Sequence, residues 1–150
     1  MNHNPKQYYP PMHTAEHILN QTMVRLYGKG RSFSNHIEKK KSKCDYKNFV
    51  SNLSEEELIK IESLVNAEIE KNHDVREEFI DRDEAEQKFN LNNLPEKAGE
   101  KIRLIKIGDY DTCPCSGVHV KNTSEIGKFK IVSSSFDNDV LRIRFKLIES

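Results

Sequence analysis

Apolar positions step along residues 12–27 by threes and fours. Met12, Ala15, Ile18, Leu19, Met23, Leu26 and Tyr27 fall on one side of a helix, which predicts an amphipathic one. Gly28 and Gly30 end it. Tyr8-Tyr9-Pro10-Pro11 reads as a stiff, extended entry to that helix. Residues 32–38 read as a strand with Phe33, Asn35 and Ile37 on one face, and 44–50 as a second strand pairing back across an exposed lysine turn at 39–43. Ser54, with Glu57 three residues on, is a capping box. The helix it opens runs to about residue 72, with Leu58, Ile61, Leu64, Val65 and Ile69 inward. Residues 75–80 alternate as a strand, Asp81 caps a short helix to Phe89, and 91–99 reads as loop around Pro95 and Gly99. Ile102, Leu104, Ile105 and Ile107 mark a well-buried strand, followed by one long loop over 108–127. Two last strands, 128–134 and 140–148, flank a turn at Asp137-Asn138-Asp139. The final one sets Leu141, Ile143, Phe145 and Leu147 against Arg142, Arg144 and Lys146. Helices on one face of a mostly antiparallel sheet give a two-layer α+β architecture, and no repeat or linker divides 1–150, so the expectation is a single domain.

Composition narrows the function classes. Hydrophobic residues are 35% and charged residues 32%, so the core is modest and the surface heavily charged. Twenty-four Lys and Arg balance 24 Asp and Glu, which excludes gripping nucleic acid by bulk positive charge but leaves local patches open. The 39–43 turn and the Arg142, Arg144, Lys146 stripe can hold phosphates, or can equally be a solvated turn and a solvated sheet face. No apolar run approaches the roughly 20 residues of a membrane span, and no basic segment followed by an apolar run opens the chain. Three cysteines make no disulfide framework, which fits a reducing cytoplasm.

Two residue pairs carry chemistry. His13 and His17 are four apart on a predicted helix, so both imidazoles share a face, a spacing that suits two ligands of one metal ion. Chance alone supplies about 0.2 such pairs in a chain of this composition, so this pair is a weak signal by itself. Thr14 follows the first His where a zincin helix would carry Glu. The second pair, Cys115 and His119, is also four apart, in a loop after a buried strand. Two imidazoles, a thiolate and a third imidazole select zinc among the common ions, with tetrahedral geometry. The competing reading is a buried Cys with scattered surface His. Cys113 is the alternative thiol, as a ligand or as a residue behind the ligands. Pro114 fixes the backbone between the two cysteines, so one pointing at the metal turns the other away. Cys115 is preferred for its spacing to His119. Cys44 reads as packing, Glu16 as a solvated helix residue, and His3, His36 and His73 as surface or pocket residues without a metal-spaced partner.

His13-Thr14-Ala15-Glu16-His17 and Cys115-Ser116-Gly117-Val118-His119 resemble the HxxxH and CxxxH zinc motifs of the alanyl-tRNA synthetase editing domain. His119-Val120-Lys121-Asn122-Thr123-Ser124-Glu125-Ile126-Gly127 is similar to that family's H-V-x-x-T-x-E-I-G, and the likeness covers nearly the whole chain. The family's usual Gly-Gly-Thr inside the second motif is here Ser116-Gly117-Val118. With no synthetase core visible, the chain resembles the short, freestanding AlaX-type editing proteins. The resemblance implies hydrolysis, in trans, of the aminoacyl ester of tRNA(Ala) wrongly charged with serine, with glycine as a further substrate. It implies tRNA as the partner through its acceptor end, no membrane, and His13, His17, Cys115 and His119 as zinc ligands. No side chain is assigned as the catalytic group; a metal-associated water would fill that role, its pKa lowered to about 7. Four protein ligands, however, usually mark structural zinc. A pocket that hydrogen-bonds the serine hydroxyl would reject alanine by up to about 10⁴–10⁵, and Ser34, Asn35 and His36 are the candidates to line it, unless they are ordinary polar strand residues. The rival readings are a non-catalytic zinc module that binds tRNA or protein, and threonyl-type editing.

Overall fold

A computed structural model describes residues 9–89 and 101–148. The loop expected over 91–99 and the residue His3 lie outside them.

The first helix, α1, spans Pro10–Tyr27 and ends at Gly28, whose φ of 65° is the left-handed conformation that favours glycine. Pro10 and Pro11 are its first two residues rather than an extended lead-in. Proline lacks an N–H, and the first turn of a helix has no use for one. After α1 come β1 (Ser34–His36) and β2 (Ser42–Tyr46), a shorter hairpin than the sequence predicts. The second helix, α2 (Glu55–Glu70), has the expected cap: Glu57 N–H donates to Ser54 Oγ at 3.1 Å, and Ser54 N–H donates back to the Glu57 carboxylate at 2.9 Å. Of its expected inward residues, Ile61, Val65 and Ile69 are buried, while Leu64 is 37% exposed.

The second half of the chain runs β3 (Val75–Asp81), α3 (Arg82–Lys88), β4 (Lys101–Ile107), β5 (Asp111–Pro114), a single 3₁₀ turn (Thr123–Glu125), β6 (Lys128–Asp137) and β7 (Val140–Ile148). The stretch 108–127 is therefore not one loop: β5 pairs with β4, setting Cys113 opposite Ile105. Every pairing is antiparallel, but the strands divide into two sheets, ordered β1-β2-β7-β6 and β3-β4-β5. The α+β class holds, with the sheet split.

The core lies between α1, α2 and the inner face of the four-stranded sheet. Met12, Ile18, Leu19, Ile61 and Val65 meet Tyr46, Phe129, Ile143 and Phe145 there. Strand β4 explains its own continuous apolar run. Ile105 and Ile107 join this core, while Ile102 and Leu104 face the other way, against Ala85 of α3. A strand covered on both faces needs no alternation. No helix among the described residues is long and apolar enough to cross a membrane.

Candidate metal centre

Helix α1 is buried on more than its apolar stripe: His13, Thr14, Glu16, His17 and Asn20 are all buried beside Met12, Ala15 and Ile18. The helix lies against α2, β5 and the 3₁₀ turn, so its polar side is enclosed as well. One helical turn brings His13 and His17 together, with ring centroids 5.0 Å apart. The segment after β5 returns over this face and places His119 4.1 Å from the His13 ring and 4.5 Å from the His17 ring. Cys115 Sγ is 3.4 Å from His13 Nε2. One ligand atom from each of His13, His17, Cys115 and His119 lies within 4.8 Å of all the others. The four residues named by spacing converge.

The hydrogen-bond partners select which nitrogen each neutral ring would present. His13 Nδ1 is 3.2 Å from the Val118 carbonyl, which can only accept, so Nδ1 carries the proton and Nε2 the lone pair. His17 Nδ1 faces the Asp111 carboxylate at 3.5 Å, an ion-pair contact rather than a hydrogen bond, and a proton on that nitrogen would leave the lone pair on Nε2. His119 Nδ1 is 2.9 Å from Thr14 Oγ1. That hydroxyl oxygen also accepts from Val120 N–H at 3.2 Å and has a second lone pair, so it can receive a proton from His119 as well. Metal-binding histidines are typically oriented in this way, by a carboxylate, carbonyl or hydroxyl on the far nitrogen.

The donor set fits a zinc ion. Two ligands of one tetrahedral zinc stand about 3.5 Å apart, given bonds of about 2.0–2.3 Å, and the His13–Cys115 pair already does at 3.4 Å. Three imidazoles and one thiolate leave about one positive charge at the site, and the Gly117 N–H donates to Cys115 Sγ at 3.3 Å, which favours the thiolate. Gly117 is itself required. A Cβ there would come within 2.6 Å of His13 Nδ1 and closer still to Cε1.

Several supporting residues carry no spacing signal. Arg103 of β4 donates to the Cys115 carbonyl at 3.1 Å and the Gly117 carbonyl at 2.7 Å, clamping the ligand loop to the three-stranded sheet. Asp111 accepts from Arg31 at 2.7 and 3.2 Å and from Gln21 at 3.0 Å while facing His17. Burial works against the Arg31 charge, and Asp111 more than offsets it, so the guanidinium pKa is raised. Glu16 corrects the sequence reading: it is 4% exposed, not solvated. Its Oε2 accepts from Asn20 at 2.8 Å and Asn35 at 2.9 Å, and its Oε1 is 3.6 Å from His13 Nε2.

Cys113 is outside the cluster, with Sγ against the Pro114 carbonyl at 3.4 Å. Burial pushes its thiol pKa up to about 12. Cys44 is buried in the core, as its place in a strand implied. His73 meets Glu68 at 2.9 Å, and His36 meets Glu38, both away from the cluster. Of the pocket candidates, Asn35 faces Glu16, while Ser34 and His36 point from the other face of β1.

Known proteins supply an independent comparison. Residues 102–143 match the family described as the threonyl and alanyl tRNA synthetase second additional domain. The chain is 38% identical over 124 residues to the alanine–tRNA ligase of Ligilactobacillus salivarius, and 37% identical over 124 residues to that of Fervidobacterium nodosum. It is related to the alanyl-tRNA synthetase editing domain. The likeness to those ligases covers 82% of this chain in both comparisons. The chain spans 14% of the length of those ligases.

Proposed function

We propose that this editing-domain relative hydrolyses, in trans and in the cytoplasm, the ester joining an amino acid to the terminal adenosine of mischarged tRNA(Ala). Serine is the first substrate and glycine the second, and residues 1–150 act as one editing-type domain. The observation that carries the proposal is the convergence of His13, His17, Cys115 and His119, from opposite ends of the chain, in a relative of that domain. These four residues would hold zinc. When bound, zinc supplies a Lewis acid beside the ester carbonyl.

The chain's own residues supply the rest. Thr14, the Val118 carbonyl and Asp111 keep the three rings in one orientation. Arg103 holds the Cys115 loop in place. Glu16 sets a buried carboxylate next to the cluster, and Asn20 and Asn35 fix its rotamer through Oε2. Asn35 spends its amide N–H groups on Glu16 and on Ser32 Oγ at 3.3 Å, which leaves its Oδ1 as the acceptor for a substrate hydroxyl. Alanine would leave that acceptor unpaired, which penalises the correct tRNA.

The test is deacylation of Ser-, Gly- and Ala-tRNA(Ala) by wild type and Cys115→Ala, with zinc measured in both. Hydrolysis of the mischarged species with Ala-tRNA(Ala) spared is the expected result. Hydrolysis of none of them by a zinc-loaded wild type favours the non-catalytic zinc module. Threonyl-type editing is scored by adding Ser-tRNA(Thr) to the panel. Full activity in a metal-free Cys115→Ala protein ends the zinc assignment.

A further inference from the structure

A formally neutral chain can still be strongly polar. Residues 55–86, which hold α2, β3 and most of α3, contain thirteen of the 24 carboxylates and four of the 24 Lys and Arg. Residues 25–47 contain eight Lys and Arg against Glu38 and Asp45. Arg25, on α1, and Arg31 of that group lie against Tyr110 and Asp111, while Lys43 stands on the outer face of the four-stranded sheet and Lys39, Lys40 and Lys41 in the turn next to it.

Strand register sets further cations beside Lys43. On β7, Leu141, Ile143 and Phe145 are buried inward, so Arg142, Arg144 and Lys146 point outward. Lys43 of β2 is the direct partner of Arg144, and Lys130 of β6 is the direct partner of Lys146. Like charges directly opposite across antiparallel strands repel. Such an arrangement costs stability, and two adjacent instances on one face are not what a merely solvated surface requires. The carboxylates on this face do not relieve them. Asp45 is taken up by Arg142 through two hydrogen bonds at 2.7 and 2.9 Å, Glu38 meets His36, and Asp137 stands at the β6–β7 turn. Among the described residues no carboxylate pairs with Lys43, Lys130, Arg144 or Lys146. Three more lysines, Lys39, Lys40 and Lys41, stand in the exposed turn at the β1 edge. The opposite face of that same edge strand carries Asn35, which touches Glu16 beside the four-residue cluster.

We propose that this outer sheet face docks the phosphate backbone of duplex RNA, with Lys43, Lys130, Arg144 and Lys146 contacting phosphates. The identification of that RNA as a tRNA acceptor stem rests on the function proposed above. Cations without a carboxylate partner, at strand spacing on one sheet face, complement a regularly charged backbone and read no sequence. The β1 edge then becomes the lip over which a single-stranded end passes toward the cluster.

The test measures binding of the full chain to uncharged tRNA(Ala) and to a 12-base-pair RNA duplex across a salt series. The variant Lys43→Gln, Lys130→Gln, Arg144→Gln, Lys146→Gln should bind both at least tenfold more weakly, and its log–log salt slope should fall by about 3. A control with Lys60→Gln, Lys88→Gln and Lys106→Gln, outside this face, should bind as wild type. Since repulsion is being removed, the thermal midpoint should hold or rise. If the fourfold variant unfolds, Lys130→Gln with Lys146→Gln, both exposed, gives the same reading with a slope change of about 1–2. Wild-type affinity and slope in a folded face variant overturn the proposal, as does binding of anionic vesicles without binding of RNA. The two readings separate cleanly. Weakened RNA binding in a protein that hydrolyses no mischarged tRNA removes the function and keeps the face. Unaltered kcat/KM for Ser-tRNA(Ala) in the face variant does the reverse.

Discussion

Each imidazole of the cluster is held from behind by a different kind of acceptor: a carbonyl for His13, a carboxylate for His17 and a hydroxyl for His119. The hydroxyl gives the cleanest experiment. Thr14→Val keeps the shape but removes the partner of His119 Nδ1, and should weaken zinc binding about 10–100-fold in a chelator competition. Thr14→Ser should restore most of it. Gly117→Ala tests close approach. The new methyl meets the His13 ring, so the variant should bind zinc with a deficit at least as large, read by the same competition. A Gly117→Ala protein with wild-type affinity would show that the ring or the loop yields freely. At this scale the sequence was informative where chemistry imposes short spacing. The four donors lie in two pairs, each four residues apart, and both pairs could be read. Thr14, Arg103 and Asp111 could not, because their partners lie far off in sequence and nothing local marks them. Glu16 was misread because a polar residue on a helix is ordinarily solvated, whereas α1 is enclosed on its polar side too.

Helix α2 begins where the sequence places its start, because a cap is a local device. Ser54→Ala should cost about 1 kcal/mol, measured by denaturant unfolding. The backbone N–H of Ser54, with help from the Tyr27 hydroxyl, holds the Glu57 pKa below its usual value. A depressed carboxylate stabilises the fold above its unfolded pKa, and that contribution is lost as pH falls through its folded pKa. The stability difference between wild type and Glu57→Gln should therefore narrow in the acid range and hold steady through neutral pH. Strands were less legible than helices. The four residues of β5 carry Asp, Thr, Cys and Pro, with no alternation to see. They form a strand because β4 offers an open edge, and Pro114 is tolerated because it sits at the end of an edge strand. The 3₁₀ turn at Thr123–Glu125 was likewise hidden inside an apparent loop.

Across the whole molecule, the cluster ties α1 to the segment after β5, across separations of about one hundred residues. A ligand that binds only the folded state stabilises it by about 4 kcal/mol at a thousandfold excess over its Kd. For a chain of this size that is worth roughly 10 °C. Saturating zinc should raise the thermal midpoint of the metal-free protein by about that amount, a chelator should reverse it, and Cys115→Ala should show no response. A midpoint indifferent to zinc in the wild type would count against the site. The α+β class could be read from the order of elements, but the division into two sheets could not, since it depends on which edges meet. That separation in sequence also has a consequence for synthesis. On a translating ribosome the early His pair emerges about a hundred residues ahead of its thiol, so an ion held by all four donors would close its site only after the late segment has left the ribosome.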